Sequence, residues 1–212
     1  MTLDSIIFDL DGTLWDTTAS CASAWNQCYE KRGIDTRITQ KDMHSHMGLD
    51  AKQLQERFPM DESKGSTSDF LQDCLDTVVR KVQSDHPQLY PYVDEGLHAL
   101  AKKFPLFIVS NCQANYIETF LEKTGYHDLF TDFESFGRSL QPKEKNIQSI
   151  VERNHLKAPV YVGDTEGDYV SAQSAKVPFI HVTYGFGSVQ GDMPTFSSFR
   201  DLFTFLSSQE KQ

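Results

Sequence analysis

The stretch that constrains this chain most is Ser5–Thr18, SIIFDLDGTLWDTT. Its apolar start, Ile6-Ile7-Phe8, is too short for a helix and rich in β-branched and aromatic residues, so it reads as a buried strand. The run stops at Asp9-Leu10-Asp11-Gly12-Thr13, which sets two carboxylates two residues apart with a glycine behind them. In an open α/β sheet the ligand crevice lies beyond the carboxyl ends of the strands, where these aspartates fall. An Asx-type turn, in which Asp11-Gly12 only reverses the chain, is the competing reading of the same residues. The rest of the chain weighs between the two.

After the opening strand, Thr17 or Thr18 can cap a helix that runs to about Arg32 and is closed by Gly33. From there to about Tyr90 no strand is expected. Thr39 and Asp50 are N-caps for two short helices, roughly Gln40–Met47 and Ala51–Phe58, and Pro59–Ser68 is a polar, turn-rich loop. Phe70, Leu71, Cys74, Leu75, Val78, Val79 and Val82 then recur at helical spacing until Asp85-His86-Pro87 breaks the pattern. Beyond Pro91 helices alternate with apolar strands. Helices are expected at Val93–Lys103, Gln113–Lys123, Lys143–Asn154, Asp168–Lys176 and Phe199–Leu206, with Pro142 at the first helical position before Lys143. Strands are expected at Leu106–Val109, Phe133–Phe136, Val160–Val162 and Phe179–Val182. Such alternation implies an α/β fold with a doubly wound parallel sheet. The all-helical block at 18–88 is read as an insert, which leaves 1–17 and 89–212 as the α/β part.

With 212 residues the chain is long enough for one domain plus a small insert. Its net charge of −10 and the lack of any basic run argue against electrostatic capture of nucleic acid or an anionic membrane. No apolar stretch approaches the roughly 18–20 residues of a spanning helix, and no leader pattern opens the chain, so a cytoplasmic protein is expected; the chain is also read as a monomer. The cysteines at 21, 28, 74 and 112 lack metal-ligand spacing and read as reduced, packed thiols.

The strand ends collect chemistry. The first delivers Asp9 and Asp11, the second Ser110 and Asn111, a helix start Lys143, and a later strand Asp164 with Asp168 in GDTEGD. Carboxylates gathered at one rim repel and raise one another's pKa unless a cation sits among them. Oxygen donors without His or Cys favour a hard ion, most simply Mg²⁺.

DLDGT at 9–13, Ser-Asn at 110–111, Lys143 and GDTEGD at 163–168, in this order, resemble the haloacid dehalogenase superfamily of phosphohydrolases. The framework covers nearly the whole chain. The helical block is similar in position and size to the small cap of subclass I members such as phosphoglycolate phosphatase-like enzymes and β-phosphoglucomutase. The resemblance implies a phosphatase for a small phosphorylated metabolite, with Asp9 as nucleophile forming an aspartyl-phosphate and Asp11 as general acid and base. It implies Mg²⁺ held by Asp9, the Asp11 carbonyl and Asp164, with Asp168 ligating or standing just behind. Ser110, Lys143, Asn111 and the backbone N–H groups near Leu10 and Asp11 would hold the phosphoryl oxygens. The cap would cover the leaving group. The segment Met43–Asp50, MHSHMGLD, resembles a substrate-facing cap loop, which gives His44, His46 and Met47 a substrate role.

Other readings stand beside these. Ser110-Asn111 alone fits a turn or cap, Lys143 a surface lysine, and GDTEGD a capped loop with Glu166 in solvent. Cys112 reads as a small packed residue. A β-phosphoglucomutase-type phosphomutase shares every motif, and a phosphate-binding regulator without catalysis is the alternative from another class. Retention of Asp11 weighs against a dehalogenase or a phosphonatase.

Overall fold

Four short apolar runs, Ser5–Phe8, Leu106–Ser110, Pro159–Gly163 and Phe179–Val182, are buried along their whole length and lie side by side in a parallel sheet. A strand without a solvent-facing side needs helices on both faces, and the connecting segments supply them. The computed structural model describes residues 2–49, 51–58 and 65–211.

The strands in chain order are β1 Thr2–Leu3, β2 Ser5–Phe8, β3 Trp15–Asp16, β4 Gln88–Leu89, β5 Leu106–Ser110, β6 Phe130–Ser135, β7 Pro159–Gly163, β8 Phe179–Val182, β9 Thr195–Phe196 and β10 Glu210–Lys211. The helices are α1 Thr18–Lys31, α2 Gln40–His44, α3 Ala51–Arg57, α4 Thr67–Ser84, α5 Val93–Leu100, α6 Tyr116–Thr124, α7 Phe136–Ser139, α8 Lys143–Arg153, α9 Glu166–Ser174 and α10 Phe199–Ser207. The main sheet has the order β6-β5-β2-β7-β8-β9, and each neighbouring pair is parallel. The chain therefore builds outward from β2 to β5 and β6, then returns to the other side of β2 for β7, β8 and β9. That reversal makes the carboxyl end of β2 the switch point where such sheets bind ligands.

Side chains alternate between the two faces of the sheet. Ile7, Phe107, Val109 and Tyr161 pack with Ile147 and Ile150 of α8 and Ala172 of α9. Phe8 stacks on Phe199 of α10 at 6.2 Å, and α10 packs with α5.

The chain groups into two compact units, Met1–Asp16 with Leu89–Gln212, and Thr17–Gln88. The second unit is helical, and α1 packs chiefly on α4. Its core includes Trp25, Tyr29 and Phe70, with Trp25 and Phe70 edge to face at 5.8 Å. All four cysteines are buried and free, and among the described residues no helix is long and apolar enough to cross a membrane.

Several boundaries differ from the sequence reading for local reasons. Helix α6 begins at Tyr116 rather than Gln113 because Asn115 takes a left-handed conformation, φ 68°, which a helix does not continue through. Strand β6 starts at Phe130, three residues early, where the polar Thr131 and Asp132 hide the pattern. Helix α9 starts at Glu166, closed by Thr165 and Asp168 in a capping box. Pro142 is the N-cap, with extended ψ 158°, and Lys143 is the first helical residue. Helix α2 stops at His44, three residues short of the expected Met47. The two-residue strands β1, β3, β4, β9 and β10 were not expected at all. Of the loop expected at Pro59–Ser68, 59–64 lie outside the described residues, and Thr67 and Ser68 are helical. The expected cap Asp50 also lies outside them.

Candidate active site

The site is built where three adjacent strands end. Strand β2 runs directly into Asp9, whose N–H still donates to Val162 of β7 at 2.8 Å, so its side chain leaves the sheet from a fixed backbone. Strand β5 ends on Ser110, which is buried and in register with Ser135 of β6. Strand β7 ends on Gly163, followed by Asp164. The chain after Asp9 turns tightly: the Leu10 carbonyl accepts from Leu14 N–H at 2.9 Å, Gly12 takes φ 86°, and Asp11 bridges to Trp15. A turn and an acidic site thus coexist here, rather than one excluding the other.

Asp9, Asp164 and Asp168, all buried, offer carboxylate oxygens within 4.8 Å of one another. Lys143 enters from the first residue of α8, buried to 4% exposure. Its ammonium donates to Asp9 Oδ1 at 2.8 Å and to Asp168 Oδ1 at 2.5 Å. Asp168 is engaged on its other oxygen as well. Oδ2 accepts from Thr165 N–H at 3.0 Å, from the Thr165 hydroxyl at 2.7 Å and from Asp164 N–H at 3.3 Å. Asp164 accepts the Phe186 N–H at 2.7 Å and the Thr13 hydroxyl at 3.4 Å.

Electrostatics follow from burial. Loss of water, then the negative charge of Asp168, pushes Asp9 up to about 7, against the pull of Lys143. Burial, then Asp168 and Asp9, drives Asp164 well above the carboxylate range. Burial opposes the charge on Lys143, yet Asp168 and Asp9 together hold its pKa well above the ordinary value. One ammonium does not balance three carboxylates in so dry a place. A divalent cation among them would relieve the excess, and an oxygen-only donor set suits a hard ion such as Mg²⁺. The residues present therefore fit such an ion.

At two glycines beside this centre there is no room for a side chain. A Cβ at Gly12 would lie 2.2 Å from Asp164 Oδ2, and one at Gly185 would lie 2.3 Å from both that oxygen and the Gly12 carbonyl. Three tyrosines brace the same loops: Tyr116 donates to Asp11 Oδ1 at 2.9 Å, Tyr161 to the Val109 carbonyl at 2.8 Å, and Tyr184 to the Thr13 carbonyl at 2.8 Å. Sequence reading passed over Tyr116, Tyr161, Tyr184, Gly185 and Phe186. The Tyr184-Gly185-Phe186-Gly187 run directly after an apolar strand was the one available signal.

Of the residues singled out from sequence, Asp9, Lys143, Asp164 and Asp168 are brought together, with half-buried Asp11 and buried Ser110 at the same strand ends. Leu10 is fully buried, its carbonyl taken up by the turn, and Asn111 follows Ser110, half-buried. Glu166 is exposed, and burial pushes the Cys112 thiol up. His44, His46 and Met47 belong to the helical unit. His44 is exposed, Met47 is half-buried, and His46 lies edge-on to Phe58 at 4.6 Å. Burial, then the Arg57 charge, lowers the pKa of His46.

The chain is similar to several known proteins. Among curated relatives, the phosphoglycolate phosphatase of Agrobacterium fabrum is 29% identical over 192 residues, covering 86% of this chain and 82% of its own. That of Chromobacterium violaceum is 26% identical over 218 residues and covers 97% of both. A haloacid dehalogenase-like hydrolase from Streptococcus pneumoniae has the same fold, with a TM-score of 0.83, 19% identity and coverage of 96% of this chain and 98% of that one. The family profile of haloacid dehalogenase-like hydrolases matches residues 6–182, and the chain belongs to that family.

Proposed function

We propose that this hydrolase is a Mg²⁺-dependent phosphatase of small organic phosphomonoesters and works through an aspartyl-phosphate on Asp9. One observation carries the reading: a dry group of carboxylates, Asp9, Asp164 and Asp168, held by buried Lys143 at the switch point of a parallel sheet. Asp9, Asp164 and the Asp11 carbonyl would hold the ion. Asp168, with bonds on both oxygens, stands behind them and orients Lys143 and the α9 start. Bound there, Mg²⁺ supplies charge neutralisation for the phosphoryl group and for Asp9 itself.

The chain's own groups do the rest. A carboxylate oxygen of Asp9 attacks phosphorus while Asp11 gives its proton to the departing alcohol oxygen. Asp11 then takes a proton from the water that releases phosphate from Asp9. Ser110, Lys143 and nearby backbone N–H groups face the phosphoryl oxygens as their charge shifts. The helical unit Thr17–Gln88 acts as the cap that selects the organic part, through His44, His46 and Met47. Free, buried thiols suit a reducing, cytoplasmic setting.

The curated relatives named above are phosphoglycolate phosphatases, so 2-phosphoglycolate is the first substrate to try. Nothing in the site favours the phosphomutase alternative. The test is phosphate release from 2-phosphoglycolate and a panel of phosphorylated sugars, acids and nucleotides, with Mg²⁺ or chelator, together with acid-quenched mass spectrometry of the enzyme. Mg²⁺-dependent turnover and a phosphoryl adduct on Asp9 are expected. Turnover that survives Asp9→Asn, above contamination, overturns the covalent route.

A further inference from the structure

A group that both gives and takes a proton works best at one angle in both steps. One contact that sets the Asp11 carboxyl comes from far along the chain. Asn115, in its left-handed conformation, starts α6 so that Tyr116 is its first residue, and the Tyr116 ring is 2% exposed. Trp15, four residues after Asp11, meets Tyr116 edge-on at 5.7 Å and 76°, and meets Phe120 at 5.0 Å and 77°. Backed by the Trp15 ring, which itself rests on Phe120, the phenol donates to Asp11 Oδ1 at 2.9 Å.

We propose that Tyr116 is a positioning residue for the acid–base chemistry of Asp11, which rests on the phosphatase reading above. A phenolic O–H can donate to Oδ1 whether Asp11 is a carboxylate or an acid, provided the mobile proton rides on Oδ2. The Tyr116 bond therefore designates Oδ2 as the working oxygen. In the first step the P–O bond to the alcohol breaks as the Asp9–phosphorus bond forms, and the Oδ2 proton passes to the alcohol oxygen. In the second, water forms the new P–O bond, its proton passes to Oδ2, and the Asp9–phosphorus bond breaks. The same oxygen serves both transfers without the carboxyl turning over. A simple core aromatic would need the ring but not the hydroxyl.

The experiment compares wild type, Tyr116→Phe and Tyr126→Phe with an alkyl phosphate and with 4-nitrophenyl phosphate. Tyr126 is the control because it is another buried phenol bonded to a carboxylate, Asp94, with no part in the site. Tyr116→Phe is expected to lose about ten- to a hundredfold in kcat on the alkyl phosphate, with KM within about twofold, the scale of a misplaced acid–base group. On the aryl ester its first turnover should stay fast and the second step slow, giving a burst of one nitrophenol per site and a trapped phosphoenzyme. If Tyr116→Phe does not yield soluble protein, Trp15→Phe, which keeps the hydroxyl but loosens its backing, should show the same split more weakly. Tyr116→Phe kinetics within twofold of wild type, or a uniform loss matched by Tyr126→Phe, overturns the proposal while wild-type turnover leaves the phosphatase reading standing. A wild-type enzyme silent on every phosphomonoester with Mg²⁺ overturns both.

Discussion

The Lys143 ammonium, on the first residue of α8, lies 2.5 Å from Asp168 Oδ1, in the first turn of α9. Two helix starts therefore meet at one ion pair. The lysine opposes its own helix dipole and the aspartate favours its own, so the pair is understandable only through what it faces. Removing Lys143 strands two buried carboxylates. Lys143→Ala is expected to abolish turnover and to cost about 3–5 kcal/mol of stability, as when one partner of a buried pair is deleted. Lys145 is exposed and its ammonium donates to Gln148 of its own helix at 3.1 Å, so Lys145→Ala should stay within about 0.5 kcal/mol and keep its activity. Kinetics and chemical denaturation of the two variants check the ranking.

Mg²⁺ should stabilise the folded chain measurably. An ion at a hundredfold excess over its Kd adds about 2.7 kcal/mol. In a chain of this size each kcal/mol moves Tm by about 2–4 °C. Asp164→Asn is expected to lose most of that Mg²⁺-induced rise, and to melt higher than wild type in chelator, because it removes one of the repelling buried carboxyls. Thermal scans across a Mg²⁺ series decide it.

Gly185 has no room for a methyl group. Gly185→Ala should push Asp164 aside and raise the Mg²⁺ concentration needed for half-maximal activity by about 10–100-fold, the usual scale for disturbing a ligand's support. Gly167→Ala is the control. Its new Cβ comes no closer than 3.6 Å to Thr165 Oγ1, and within α9 it should be neutral or stabilising by up to about 1 kcal/mol.

Arg153 at the end of α8 grips β6, donating to both oxygens of Asp132 at 2.6 and 2.9 Å and to Glu134 at 2.7 Å. Burial works to raise the Asp132 pKa, but the bonds from Arg153 and Asn154 outweigh it and hold the pKa below the ordinary value. A carboxyl lowered on folding stabilises above its unfolded pKa, about 3.9, and loses that contribution as pH falls through the folded value. The stability gap between wild type and Asp132→Asn should therefore be full near neutral pH and close in acid. Denaturation curves across that range measure it.

In the helical unit, His46→Ala and Met47→Ala should change KM and the ranking of substrates more than kcat on 4-nitrophenyl phosphate. Equal losses on large and small substrates would assign these residues to folding instead.

What the sequence made legible were features with a local signature. The Ile6–Phe8 run stops at Asp9, the Val160–Val162 run stops at Gly163-Asp164, and Phe70 to Val82 recurs at helical spacing. Elements of two residues, such as β9, have no period to read. Strand β6 was cut short because Asp132 is polar, and its partner, Arg153, is twenty-one residues away. The bracing tyrosines were invisible for the same reason. Tyr116 reaches back 105 residues to Asp11, and Tyr184 reaches back 171 residues to Thr13, distances over which no pattern in the chain announces a contact.

Asp168 binds the start of α9 through Oδ2 and the site's lysine through Oδ1. Helix initiation and the assembly of the charge set thus share one side chain. The bond that starts α9 spans only three residues, so it can form before α8 docks and hold Oδ1 ready for Lys143. For anyone reshaping the protein, the start of α9 is the wrong place to seek extra stability. A substitution that improved the cap alone would release Lys143, and one that served the lysine alone would unravel the helix.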